Sequence, residues 1–290
     1  MNKLPRPEVD DAAALQLLAE NERLSSFPHL RAAVQSINDG YEQYIAVRGD
    51  AFHVHHVPLN AEVGGYLKKH YASPPAVLDY ITTLRLDAEQ RVCPMCGSMH
   101  RGTLDHLLPK ENYAAFSIFS QNLIPACKCN VRRGQTVIGA GQGERILHPY
   151  FDDCLAERLI AARFEDLAMV PRISLRILLE REHPRYSAVA FHVEKIVSTS
   201  AILEYVKDKW VQLCQKPKLA VRALGAVPAS VERLREILTE ELSLTDESHG
   251  GQNNWNSVFV AGLLDTDVSL WLFERLNAPE RLQDGPLVEV

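Results

Sequence analysis

Residues Cys93 to Gly134 read CPMCGSMHRGTLDHLLPKENYAAFSIFSQNLIPACKCNVRRG, and four of the chain's six cysteines fall inside this stretch. Cys93-Pro-Met-Cys96-Gly97 is a C-x-x-C knuckle. Two thiolates three positions apart on a tight turn offer one face of a tetrahedral zinc, and Gly97 eases the turn. Cys127-Lys-Cys129 offers the other face. It is one residue shorter than the usual C-x-x-C partner, so two readings stand: the pair closes the site despite its spacing, or Cys127 sits off the metal. A thiol-redox pair and plain buried cysteines are the alternatives, and no βαβ pattern surrounds the knuckle to support the redox one. With no secretion signal in the opening residues, the clustering favours metal over disulfides.

Between the two pairs lies Asp105-His106. Asp105 offers a hard oxygen to a divalent cation such as magnesium. His106 can take a proton from water near neutral pH, its ordinary pKa being about 6.5. A cation on a phosphate and a base on a water are the minimum for phosphodiester hydrolysis. An Asp-His step is common in surface turns; its place between cysteine pairs is what singles it out. Asn122 precedes the second pair and Asn130 follows it. A carboxamide oxygen can ligate a metal and its NH₂ can brace a loop, while turn or cap roles are the plain alternative. Lys110, Arg132 and Arg133 are the expected nucleic-acid contacts. A solvated basic turn is the competing reading for the two arginines.

The order C-x-x-C, Asp-His, Asn, Cys-x-Cys-Asn resembles the HNH nucleases of the ββα-metal class, whose zinc-containing members carry it on two strands and a helix. The resemblance implies that His106 is the general base and that Asp105 and Asn130 bind a catalytic Mg²⁺ or Mn²⁺. It further implies that Asn122 braces the loop bearing the base, and that Cys93, Cys96, Cys127 and Cys129 hold a structural Zn²⁺. Asn130 stands where the family usually has histidine, an H-N-N variant. LDHLLPK, FSI, NLIPAC and HPYFD together are similar to bacterial HNH proteins of anti-phage defence, some of them encoded beside an ATPase as in Septu-like systems. DNA is then the expected substrate, with an ATPase partner protein or a second copy of this chain docking on the flanks. The resemblance is specific from Cys93 to Gly134 and looser through Asp152.

Composition narrows the class further. At 290 residues, 46% hydrophobic and 23% charged, the chain can bury a core without disulfides. No apolar run approaches the roughly 20 residues that span a bilayer, so a cytoplasmic protein without a membrane partner is expected. The net charge of −6 argues against a general polyanion binder. From Arg91 to Gly134, however, six basic residues face two acidic ones, an excess of +4 that leaves −10 for the remainder. Weak intrinsic affinity for nucleic acid is expected from that balance.

Periodicity predicts helices over 8–48 with a break at Ser25 to Pro28, from Asn60 to His70 and from Ala76 to Leu86. It predicts a strand over Phe52–Val57, a loop over Thr136–Glu144, a helix near Leu155–Phe164 and a strand over Pro171–Leu179. Long helices are expected over Ser187–Leu213, Ser230–Leu242 and Asn256–Leu276. The fold class is mainly α with a small ββα-metal (HNH) module, α+β overall. Its parts are an N-terminal helical region (1–85), the nuclease module with its zinc knuckle (86–150) and a mostly helical C-terminal region (151–290). His53, His55 and His56 could line a strand but lack evident further ligands. His148 reads as a turn residue, Trp210, Trp255 and Trp271 as core, and Cys154 and Cys214 as buried thiols. Two functions follow: a metal-dependent endonuclease, or a catalytically inactive zinc-stabilised adaptor that binds nucleic acid or protein.

Overall fold

The computed structural model describes the chain apart from residues 87–91, 101, 168–169, 283 and 288–290. Arg91 and Arg101, two of the six basic residues around the cysteines, lie outside the described residues, as does the start of the 86–150 stretch beyond Leu86. The architecture is mainly helical with two small antiparallel sheets, an α+β class. No helix among the described residues is long and apolar enough to cross a membrane.

The N-terminal part holds α1 (Asp11–Glu20), α2 (Val34–Ala46), α3 (Ala61–Ala72) and α4 (Asp79–Leu86). Side chains start two of them: Asp10 accepts from the Ala13 amide and Asn60 from the Glu62 amide, each satisfying an orphan donor of a first turn. Then come β1 (Thr103–His106), β2 (Leu123–Ala126) and the four-residue α5 (Cys129–Arg132). The strands pair antiparallel, with Asp105 opposite Ile124 and His106 opposite Leu123. Strand alternation turns Leu104 and His106 inward, whereas Thr103 is exposed and Asp105 half-buried.

A second hairpin, β3 (Ile160–Glu165) with β4 (Arg172–Ile177), opens the C-terminal part. It is followed by α6 (Tyr186–His192), a π turn (Val193–Val197), α7 (Ile202–Gln215), α8 (Pro217–Ala220), α9 (Val231–His249), α10 (Trp255–Leu263) and α11 (Thr266–Leu276). α10 lies directly on β3: a Cβ at Gly262 would stand 2.6 Å from the Ala162 carbonyl oxygen, so only glycine allows this approach.

Several expectations are corrected. Phe52–Val57 is not a strand. Its donors are satisfied locally, Phe52 N by Asp50 Oδ1 (3.0 Å), Val54 N by Asp50 O (2.9 Å) and His55 N by Gln43 Oε1 (3.2 Å), leaving His53, His55 and His56 exposed. The helix near Leu155–Phe164 is a 3₁₀ turn (Asp153–Ala156) running into β3, because pairing with β4 and burial on α10 outweigh local helical preference. The long helix over 187–213 breaks after the π turn, where the Thr199 and Ser200 hydroxyls take carbonyls of the preceding turn. The last helix is two, since Asp265 caps α11. α9 runs on to His249.

Buried side chains from Met1 to Leu287 form one hydrophobic cluster that includes Cys93, Cys96 and Cys129. The three stretches of sequence therefore share a core. A polar tie joins α1 to the region of the site: the Asp11 carboxylate accepts from the Ser120 amide (2.8 Å) and hydroxyl (2.7 Å). Burial pushes the Asp11 carboxyl up to about 6, against the hydrogen bonds from Ser120 and with help from the charge of Asp10. The folded value lies above the unfolded one, so the fold binds this proton more tightly than the unfolded chain does. Stability is then lost as pH rises from about 4 through about 6, by about 3 kcal/mol, and is flat above. Asp11→Asn should remove that component: urea melts should show the variant gaining on the parent across this window. Parallel pH profiles would mean that the carboxyl ionises as freely in the fold as out of it.

Candidate functional site

The knuckle Cys93–Gly97 closes on itself through Gly97 N to Cys93 O (2.9 Å) and Cys93 N to Ser98 O (2.8 Å). Gly97 has φ +79, and a Cβ there would meet the Asn253 carbonyl oxygen at 2.1 Å. The second pair arrives from the end of β2. All four sulfurs lie within 4.8 Å of one another, with Cys93 to Cys129 at 3.7 Å and Cys96 to Cys127 at 3.5 Å. These separations rule out disulfides. They match a tetrahedral thiolate site, in which Zn–S bonds of about 2.3 Å place sulfurs ~3.8 Å apart. The short C-x-C spacing closes the cluster, and Cys127 belongs to it. Backbone amides donate to two sulfurs, Cys127 N to Cys93 and Cys129 N to Cys127, both at 3.3 Å. Burial opposes ionisation of Cys93, yet hydrogen bonds from Cys127, Cys129 and Cys96 hold its thiol well below the ordinary range. Cys129 is pushed up, first by its hydrogen bonds with Cys127 and Cys93. The four cysteines could hold a metal ion such as zinc, which would let all four ionise together.

The knuckle is clamped from outside. His192 at the end of α6 donates from Nε2 to Met95 O (2.7 Å), Trp255 Nε1 donates to Cys96 O (2.8 Å) and Asn2 N to Pro94 O (3.0 Å). These residues carry no motif, and the sequence reading missed them as clamps.

His106 is 3% exposed. Its Nε2 faces the Ser117 carbonyl at 2.9 Å. A carbonyl only accepts, so Nε2 carries the proton and Nδ1 the lone pair. Nδ1 makes no hydrogen bond among the described residues and lies 3.9 Å from Asp105 Oδ1. Burial pushes His106 down to about 4 and the Lys110 charge adds to this, against the Ser117 contact and Asp105, so the ring is neutral at physiological pH. The Tyr71 ring from α3 covers it, with centroids 4.2 Å apart, and the Tyr71 hydroxyl donates to Leu104 O.

Asn122 is fully buried and braces the crossover from β1 to β2. Its Oδ1 accepts from Leu108 N (2.8 Å) and the Tyr44 hydroxyl (3.2 Å), and its Nδ2 donates to Leu108 O (3.1 Å) and Phe116 O (3.2 Å). The Tyr44 hydroxyl in turn lies 3.0 Å from His148 Nε2. His148 Nδ1 accepts from Tyr150 N, so Nε2 is the donor in that pair. His148 is thus a buried member of the brace, with burial pushing it down to about 3. Tyr44, on a core-facing helical position, gave no sign in the sequence of this role.

Asp105 and Asn130 do meet, but with the carboxamide turned the other way from that expected of a ligand. Asn130 Nδ2 donates to Asp105 Oδ2 (2.8 Å) and to His106 O (3.0 Å), while its Oδ1 accepts from Arg133 Nε (2.6 Å). Asp105 Oδ1 accepts from His106 N (2.8 Å). The donor set suits a hard cation in kind, one carboxylate and one carboxamide oxygen, yet an NH₂ group stands toward Asp105 where a cation would need oxygen.

Arg133 is corrected as a phosphate contact. It is buried, and its guanidinium also donates to Thr136 O (3.0 Å), His106 O (3.0 Å) and Leu107 O. Burial pushes it down to about 10, so it stays charged. Arg132 is exposed and donates to Thr199 O (2.8 Å), and Lys110 lies over the Tyr71 ring.

No family model matches the chain, and no solved structure does. Among curated proteins, protein ea31 of Escherichia phage lambda is 36% identical over 62 residues, which is 21% of this chain and 21% of that protein. The match thus spans about a fifth of its relative's length.

The brace sets a stability expectation. Asn122→Ala strips partners from Leu108 N, two carbonyls and the Tyr44 hydroxyl inside the core, and should cost about 2–5 kcal/mol in chemical denaturation. A loss below ~1 kcal/mol would show that water fills the gap.

Proposed function

We propose that this chain is a metal-dependent HNH endonuclease that hydrolyses DNA phosphodiester bonds, the nuclease component of a bacterial anti-phage defence system. The observation that carries the reading is His106: a neutral ring with its proton tied to Ser117 and its free Nδ1 beside Asp105, on a hairpin that leads into a short helix bearing Asn130. The motif order supports it, and so does a four-cysteine cluster at the foot of that hairpin, which we assign to structural zinc.

His106 Nδ1 takes the proton of the attacking water. Ser117 and the Asn122 brace hold the ring so that the lone pair stays on that atom. Asp105 and Asn130 would hold Mg²⁺ or Mn²⁺, which when bound offsets charge growing on the phosphate and the leaving 3′-oxygen. One Asp, one Asn and one His lack the carboxylates needed to bridge and hold two such ions, so a one-metal site is proposed. The products carry 5′-phosphate and 3′-hydroxyl ends.

The competing reading is a catalytically inactive zinc-stabilised adaptor. The Tyr71 cover on His106 and the turned Asn130 carboxamide favour it. One assay separates the two: plasmid cleavage with magnesium, manganese or chelator. General-base catalysis contributes about 10²–10⁴-fold, so His106→Ala should lose that much cutting while keeping its zinc. Asp105→Ala should lose activity together with its dependence on magnesium. A parent that never cuts, or a His106→Ala variant that cuts at the parent's rate, refutes the catalytic assignment.

Zinc is tested separately. Reduced, freshly folded protein should contain about one zinc per chain by elemental analysis, and Cys96→Ser should lose it and melt several degrees lower. Metal-free protein with an unchanged melting temperature would make the cluster four packed thiols.

A further inference from the structure

Tyr71 carries two cations on the ring that covers His106. The Arg85 guanidinium carbon lies 4.9 Å from the ring centroid and the Lys110 ammonium 4.8 Å from it. Arg85 is exposed in the last turn of α4 and Lys110 is half-buried in the crossover after β1. The ring itself is fixed, its hydroxyl bonded to β1 at Leu104 O, and Arg85 also donates to Tyr71 O. Neither cation forms an ion pair among the described residues. Their neighbours are otherwise committed: Lys68 to Glu111 (2.8 Å), and Asp105 to Asn130 and the backbone of β1.

Cation–π contact is worth about 0.5–1 kcal/mol at an exposed site, and two like charges held on one ring repel each other. Two cations that share one aromatic ring and form no ion pair among the described residues favour an anion beside them, even in a chain of net charge −6. The Tyr71 ring that both cations contact also packs on the His106 ring, centroids 4.2 Å apart, so an anion held by them lies close to that histidine. From this arrangement we propose that Arg85 and Lys110 together dock a phosphate of the nucleic-acid backbone next to the bond to be cut, with the Tyr71 ring as their platform. The assignment rests on the nuclease reading for its substrate. It adds α4 to the substrate surface and gives Lys110 a partner drawn from the N-terminal helices. Contact is with backbone phosphate and not with base edges, so it contributes affinity without sequence preference.

The test is salt-dependent binding of full-length, zinc-loaded protein to a fluorescent duplex DNA without added magnesium or manganese. Arg85→Gln and Lys110→Gln should each weaken binding roughly tenfold at low salt and reduce the slope of log affinity against log salt by about one. Arg85→Lys keeps the charge and should keep the slope, which separates docking from the Arg85 hydrogen bond to Tyr71. Arg163→Gln, an exposed position on β3 with the same change of charge, should leave the slope unchanged. Equal losses at Arg163, an unaltered slope in both glutamine variants, or a parent that does not bind the duplex overturns the assignment. A parent that binds with this slope but never cuts removes the catalytic reading and leaves the docking site standing.

Discussion

Four sulfur atoms within 4.8 Å of one another in a protein interior cannot all be ionised without a cation. That constraint organises the molecule. With protons shared among the thiols, two are held down and two pushed up. With a metal such as zinc, one tetrahedral centre would join the knuckle to the end of the β1–β2 hairpin. Everything around the cluster is built to hold the knuckle still. Asn2 comes from the N-terminus, His192 from α6 and Trp255 from α10, each donating to a backbone carbonyl of residues 94 to 96. Buried hydrogen bonds of this kind are modest in net energy, about 1 kcal/mol each, but costly to leave unmade. The cluster is thereby a junction of the whole core and not the staple of an isolated module.

The cysteine cluster and the hairpin were legible in the sequence because their signals are local. C-x-x-C, Asp-His and the two asparagines sit at fixed short spacings, and strand alternation places Leu104 and His106 on one face. Helix starts at Asn60 and Ser230 were equally local. The misreadings fall where a distant partner decides. β3 needed β4 and α10 to be a strand. Phe52–Val57 looked like a strand by alternation but has Gln43, not a neighbouring strand, to satisfy His55 N. Arg133 read as a surface cation because its acceptors, the carbonyls of His106 and Leu107, are more than twenty residues away in sequence. Tyr44, Tyr71 and His192 look like any core residue of an amphipathic helix, and nothing local marks the polar atom each one aims at the site.

His106 and its brace show how such distant contacts set the state of a side chain. A histidine ring has two nitrogens, and which one carries the proton follows from the acceptor facing the other. Here Ser117 O fixes Nε2–H, and Ser117 lies in the crossover that Asn122 holds through Leu108 and Phe116. Asn122 is held in turn by Tyr44, whose hydroxyl donates to it while accepting from His148. The direction of every proton in that chain is determined by its neighbours, starting from a peptide N–H at Tyr150. The N-terminal helix α2 and the stretch after the cysteines therefore both act on the tautomer of His106.

Arg133 couples the two halves of the site. Its Nε holds the oxygen of Asn130, and its Nη2 holds the carbonyls of His106 and Leu107, so one buried guanidinium touches both the carboxamide beside Asp105 and the backbone that carries His106. Turning the Asn130 carboxamide over would set its NH₂ against Arg133 Nε–H, donor against donor, and would take its donors from Asp105 and His106 O. The arginine would have to move, and the His106–Leu107 backbone would lose two of its partners. A buried charge with its acceptors removed is expensive, costing several kcal/mol. The present arrangement thus ties the carboxamide to the guanidinium: for Asn130 to present its oxygen toward Asp105, the Arg133 side chain has to move with it.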